Sequence, residues 1–373
     1  MDRCPAELWI RIFALACTDG GYTGRSLSCV SRYISDVSRP VQLQSVALHG
    51  AYELKCFADT MESRVPEDRR ILHLYIAHHK EPSDRNSYAP PDSLSSSELR
   101  EALIYRLYHP ADEAELLRRL PDEMRGWPAG ELTAERDQVF RRALDRVMQV
   151  ASIHLQTFTL HIGSLLLSSQ YGPHFPSVLA RHDFPRLEEL TILDTFVLRG
   201  GLQAPHYKRL PEFPSLKRLH LVDCYNYLVA FLGSVPSLTH LRMSGVTQLF
   251  PDLSAIVRGV IDPDATTNVV PTAQTDIVSP VSQSRTATYR VITEQALKQM
   301  ARCNDKLILL RSDRAAGPPY GLPEARRDWL QRIEGRRDAA ILDSESVTVR
   351  FQCAIPAVLV CQILVTQSWS AQN

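Results

Sequence analysis

Excess charge of either sign is absent from this chain, in which forty-two basic residues balance forty-two acidic ones over 373 residues. That balance removes any global attraction to nucleic acid or to an anionic membrane. No C-x-x-C pair occurs among the eight cysteines, Cys4, Cys17, Cys29, Cys56, Cys224, Cys303, Cys353 and Cys361. Their irregular spacing suggests neither a zinc site nor a disulfide framework, and most read as small buried apolar residues of a reducing compartment, cytoplasm or nucleus. A basic leader followed by a cleavage site is also missing at the N-terminus. The strongly apolar run Phe351 to Val365 is fifteen residues long and is interrupted by Gln352, Pro356 and Gln362. A bilayer needs about twenty, so no membrane partner is expected.

Catalytic constellations are missing too: the twelve histidines form no H-E-x-x-H, and there is neither a G-x-S-x-G nor a glycine-rich phosphate loop. His78-His79 is the nearest approach to a metal pair, but neighbours on a strand point to opposite faces. Cys224 and His220 could be imagined as a thiol and its base, yet nothing orients the imidazole. The reading is of a chain that is no enzyme, holds no metal and needs no cofactor.

What is there begins with more apolar surface than two short helices can bury by themselves. From Pro5 to Ala16 the chain carries Leu8, Trp9, Ile10, Ile12, Phe13 and Leu15 around nearly the whole helical wheel. Asp19-Gly20-Gly21 breaks this helix, and a second, capped by Thr23, places Leu27, Val30, Ile34 and Val37 on one stripe. Arg39-Pro40 ends it, and an extended run follows to Leu48.

The pattern Pro5-x-Glu7-Leu8 with Ile12-Phe13, then Leu27 and Val30-Ser31-Arg32, resembles the F-box, a helical module. The longer wording, ending in QSVALHG, resembles the F-box-like proteins of mushroom-forming fungi. The resemblance implies docking on a Skp-type adaptor of a cullin-based ubiquitin ligase. It also implies that Pro5, Leu8, Ile12, Phe13, Leu27 and Val30 make or brace the adaptor surface.

Further along, a triplet of apolar residues with spacing x-x and then x recurs at Leu43/Val46/Leu48, Ile71/Leu74/Ile76, Leu155/Phe158/Leu160, Leu187/Leu190/Ile192, Leu216/Leu219/Leu221 and Leu238/Leu241/Met243. The intervals, 28, 84, 32, 29 and 22 residues, lie mostly near the leucine-rich-repeat range. The last three instances each follow a proline turn and resemble irregular leucine-rich repeats. Strand alternation sends the last two members of each triplet to one face, and the resulting parallel sheet needs helices behind it. Thr133 to Ser152 and Thr293 to Cys303 supply helical spacing for that layer, while Pro323 to about Glu334, with Trp329, Leu330 and Ile333, is expected to cap the open end of the sheet.

The fold expected is therefore α/β: an F-box-like helical module at 1–40, an irregular leucine-rich-repeat-like solenoid at 41–335 with a helical insertion at about 98–130, and an atypical tail at 336–373. Loops are expected at 81–97 and 261–288. The tail reads as a buried strand pair or as translated intron, and a chain ending at Gly335 is expected to melt almost unchanged. The function expected is target recognition for a Skp–cullin–F-box ubiquitin ligase. A scaffold without ligase coupling is the alternative. Residues beside the inward triplets should line the target face, and Arg218, His220, His240 and Arg242 are expected to form a basic patch for an acidic segment of an unknown protein.

Overall fold

The computed structural model describes residues 4–78, 129–162, 179–194, 210–222, 231, 234–244, 307–309, 322–334 and 346–350. The loops expected at 81–97 and 261–288, nearly all of the insertion at 98–130, the helix at 293–303, Cys224, His79 and the run 351–365 lie outside the described residues.

The N-terminal segment forms three helices where two were expected: α1 (Ala6–Ala16), α2 (Tyr22–Ser28) and α3 (Arg32–Ser38). The extra break falls at Ser31, whose backbone is extended and whose hydroxyl accepts the Ile34 amide at 3.2 Å. Serine competes well for such an orphan amide, so a cap wins over helix continuation. Thr23 is not the cap of α2. The Asp19 carboxylate takes that role, accepting from the Thr23 amide at 2.9 Å and from its hydroxyl at 2.6 Å. Gly20 and Gly21 turn the chain between α1 and α2 with φ of 78° and 102°, values that favour glycine.

An eight-stranded sheet follows. Six strands are parallel and adjacent in chain order: β1 (Ser45–His49), β2 (His73–Ala77), β3 (Thr157–Ile162), β4 (Glu189–Asp194), β5 (Arg218–Val222) and β6 (His240–Ser244). Each contains the last two residues of one apolar triplet, and the register aligns them: Val46, Leu74, Phe158, Leu190, Leu219 and Leu241 stand side by side. The strands also start alike. The amides of Leu72 and His73 share the Gln44 carbonyl, those of Gln156 and Thr157 share Leu72, and those of Glu188 and Glu189 share Gln156. The series continues with Lys217 and Arg218 on Glu188, then Thr239 and His240 on Lys217.

Among the described residues two helices back the apolar face, α4 (Gly50–Ser63) between β1 and β2 and α5 (Ala129–Ala151) before β3, and they pack against each other. Leu54, Ala58 and Met61 of α4 meet Phe140, Leu144, Val147 and Met148 of α5 in one continuous core with the strand residues. Arg146 on α5 binds Glu62 and Asp59 of α4 at 2.6 and 2.7 Å across the exposed rim, and the guanidinium holds both carboxyls below their ordinary range. Under the proline turns an aromatic stack extends the core: the rings of Phe184 and Phe213 are 5.5 Å apart, and those of Phe213 and Phe231 are 5.8 Å apart. The Ser215 and Ser237 hydroxyls each donate, at 2.6 Å, to the carbonyl of the preceding turn's proline, Pro185 and Pro214.

Two elements depart from the expected arrangement. The segment read as an atypical tail contributes β8 (Ser346–Arg350), which runs antiparallel between β6 and β7 (Leu307–Leu309). Its alternation, Ser-Val-Thr-Val-Arg, is a strand pattern without the repeat's leucines, which is why a search for repeats passes over it. A chain ending at Gly335 is therefore expected to lose stability, not keep it. With β6 and β7 both stripped of a partner and each ladder bond contributing roughly 1 kcal/mol net, the loss should be several kcal/mol, read from urea unfolding. The other departure is α6 (Leu322–Ile333), which does not cap an open end of the sheet. It lies across the second face, where Trp329 and Ala325 pack with Tyr75, Ala77, Leu193 and Val222.

Candidate protein-binding surfaces

The helical module is fixed to the edge strand β1 by backbone and amide groups. The Ala47 amide donates to the Gly20 carbonyl at 3.2 Å, the Gly20 amide to Ser45 Oγ at 3.1 Å, and Gln44 Nε2 to the carbonyls of Ala14 and Cys17. Gly24 lies so close to the Gln42 backbone that a Cβ would sit 2.1 Å from its carbonyl oxygen. The outer amide of His49 is taken by Glu53 Oε2 at 2.8 Å, so β1 presents little open edge for another strand. Burial in this junction pushes the Cys17 thiol up to about 11, with Asp19 adding to the effect, which leaves it unreactive.

Within the module, Phe13, Ile34 and Val41 form a small core braced by Trp9, Ile10, Ala14, Leu27 and Val37, and the Trp9 and Phe13 rings stack at 5.5 Å. Phe13 and Leu27, expected to make or brace the adaptor surface, face inward, where they could only brace it; a wheel that is apolar all round cannot tell which side the module keeps for itself. The other residues of that set are exposed. Leu8 and Ile12 are 48% and 50% accessible, Leu15 is 81% accessible, and Pro5 and Val30 are exposed as well. Leu8, Ile12 and Leu15, at spacing four and three, make one outward apolar stripe on α1.

The second candidate surface is the face of the sheet opposite the core. Arg218 pairs in register with His240, and His220 with Arg242, so the four residues do share one face, together with His73, Tyr75, Thr157, Thr159, Glu189 and Thr191. They do not form an open basic patch. His220 is 3% exposed, and Arg242 Nη1 lies 3.4 Å from Asp328 of α6. Arg218 is ion-paired with Glu189, and Arg332 of α6 reaches Thr191 Oγ1 at 3.2 Å and Glu189 at 3.6 Å. Two carboxylates thus offset the arginines beneath a covering helix. The sequence carried a signal for this cover: Ala47, Tyr75, Ala77, Leu193 and Val222 are apolar on the supposedly outer face, as strands buried on both sides are.

Buried imidazoles on this face make the fold sensitive to acid. Burial holds His73 down at about 4, and burial, then Arg242 and Arg332, hold His220 well below its ordinary value. Both rings are neutral when folded, whereas in the unfolded chain each takes a proton near pH 6.5, so the unfolded state binds more protons as pH falls. Stability present above about pH 6.5 is then lost toward pH 4, at up to about 1.4 kcal/mol per pH unit for each ring. Urea midpoints should fall between about pH 7.5 and about pH 5.5, and His73→Gln should flatten the slope. A midpoint independent of pH in both proteins would contradict this account.

Between the module, β1, α4 and α6 lies a cavity of about 640 Å³ lined by Tyr22, Arg25, His49, Tyr52, Glu53 and Arg326 among others. Among the described residues no three histidine, cysteine, aspartate or glutamate side chains are placed to hold a metal ion, and no helix is long and apolar enough to cross a membrane. His78, the described half of the histidine pair, is buried with its ring edge-on to Phe140 at 4.7 Å. Compared with family models, with characterised proteins and with solved structures, the chain matches none.

Proposed function

We propose that this chain is the target-recognition subunit of a Skp–cullin–F-box type ubiquitin ligase, built from an F-box-like module and an irregular leucine-rich-repeat-like solenoid. The observation that carries this reading is the outward stripe of Leu8, Ile12 and Leu15 on a helix whose other side already has its own core. Exposed apolar residues of this size in a row are what an obligate partner covers. The six strands that start alike, each bonded to the strand before, support the solenoid half of the reading. On this reading the chain carries no chemistry of its own: it holds a target while other subunits transfer ubiquitin, in the cytoplasm or nucleus.

One observation favours the alternative, a scaffold without ligase coupling. The module closes the edge of β1 through Gly20, as a terminal cap does. A cap alone, however, has no use for Leu8, Ile12 and Leu15 on its outer side. Co-purification decides between the two: the ligase reading requires a Skp-type adaptor, and through it a cullin, to elute with the full chain in stoichiometric amount. A chain that elutes without an adaptor is a scaffold.

A further inference from the structure

The helix that covers the second face is held as a ligand is held. Its nearest described neighbours in the chain are β7 and β8, which stand together at one end of the sheet. Yet Trp329 and Ala325 pack over Ala47, Tyr75, Ala77, Leu193 and Val222, residues of β1, β2, β4 and β5 toward the other end. The chain thus makes an excursion across the sheet and returns, and among the described residues no backbone hydrogen bond joins α6 to a strand. Removing it leaves the ladder from β1 to β6 intact.

Its contacts divide into an apolar anchor and a ring of largely buried polar pairs, both of which occur where a helix docks on a protein surface. The anchor is Trp329, with its ring 5.5 Å from that of Tyr75. The polar pairs are Asp328 on Arg242 at 3.4 Å, Arg332 on Thr191 at 3.2 Å and on Glu189 at 3.6 Å, and Arg326 toward the Tyr22 hydroxyl at 3.4 Å. The fit is incomplete as well. Trp329 Nε1 is buried without a hydrogen-bond partner, and so is Glu189 Oε2, which has only the longer ion contact. Buried polar atoms left this way weaken the contact relative to one that satisfies them. The core on the opposite face is, by contrast, continuous and apolar.

We propose that the second face is a helix-binding surface, that α6 is its resident ligand, and that a target displaces α6 with an amphipathic helix of the same chemistry. That chemistry is legible in α6: a tryptophan preceded by an acid, a small residue four positions earlier and an arginine three positions later, as in Ala325, Asp328, Trp329 and Arg332. The word target rests on the proposed recognition function, whereas the helix-binding surface does not. A cis-tethered helix competes at high local concentration, so the face of the intact chain is closed to all but strong or abundant competitors.

The test uses a fluorescent peptide spanning residues 320–335 and the full chain, read by anisotropy. Trp329→Ala in the chain should loosen α6 and raise peptide affinity at least tenfold over the unaltered chain, while a peptide carrying Trp329→Ala should not bind. As a second variant, Arg242→Glu in the Trp329→Ala chain should abolish capture, and a peptide with Asp328→Arg should restore it. That charge swap is a readout that a merely structural role of α6 would not produce. The proposal is overturned if no peptide binds either chain, or if Trp329→Ala removes the cooperative unfolding transition, which would make α6 part of the permanent core. Peptide capture by a chain that fails to bind any adaptor would leave this inference standing and remove the ligase reading.

Discussion

Replacing Phe213 with alanine is expected to remove about 3–5 kcal/mol of folding stability, a large part of what a domain has in total. Phe213 is fully buried and central in the stack, with Phe184 on one side at 5.5 Å and Phe231 on the other at 5.8 Å. Truncation therefore loses the transfer energy of one ring and opens a cavity that two neighbouring rings line but cannot collapse into. The main chain of Phe213 also joins the proline turns, the Leu216 amide donating to the Phe213 carbonyl at 3.2 Å and the Phe213 amide to the Ser234 carbonyl at 2.8 Å. Alanine keeps both bonds, so the expected loss is that of the ring alone. Phe213→Leu, which keeps most of the volume, should lose much less. Coupling to Phe184 in a double-mutant cycle should be about 0.5–1.5 kcal/mol, the range for aromatic pairs. Urea unfolding measures all three, with Ile153→Ala, at an exposed site, as a control expected within about 0.5 kcal/mol of the unaltered chain. If Phe213→Ala unfolds at the same urea concentration as that control, the stack is not what ties these turns together.

The parallel sheet was legible in the sequence because its signal is local. A triplet spaced by two and then one places two leucine-like residues on one side of a short strand, and the side chains of Leu190 and Ile192, or Leu219 and Leu221, are buried as that spacing requires. The helix of α5 was legible for the same reason, through Phe140, Ala143, Leu144, Val147 and Met148. Less legible was anything decided by long-range pairing. Asp328 meets Arg242 across eighty-six residues, and Arg332 meets Thr191 across one hundred and forty-one, so nothing near Arg242 marks it as already paired. Strand β8 was missed on similar grounds, since its partners β6 and β7 precede it by distances over which no periodicity runs. Of the expected adaptor residues, Leu8 and Ile12 are exposed on the free side of α1. Phe13 and Leu27 pack inward instead, a choice that depended on α3 and on Val41.

These distinctions separate the two sides of α1 energetically. Phe13 contributes to the module's own core, so Phe13→Ala should loosen the three helices whether or not a partner exists. Leu8 and Ile12 lose little in the free chain, because each is about half exposed before any partner arrives. A test that confuses the two sides would report unfolding as lost binding.

Leu8→Ala together with Ile12→Ala is accordingly expected to weaken capture of a Skp-type adaptor by at least 2 kcal/mol, about thirtyfold, as central apolar anchors do. The melting temperature of the chain should be unchanged, because neither side chain belongs to the Phe13, Ile34 and Val41 cluster. Ile12→Asp should be more severe, since it would bury a carboxylate against an apolar partner surface without a counter-charge. Arg25→Ala, on α2 and exposed, serves as the neighbouring control and should leave affinity within a few-fold of the unaltered chain. Calorimetric titration of purified adaptor into each folded chain gives the affinities, and a thermal scan of the same samples gives the folding control. If the double variant binds the adaptor as tightly as the unaltered chain while melting at the same temperature, the α1 stripe is not the docking surface and the ligase reading loses the observation that carries it.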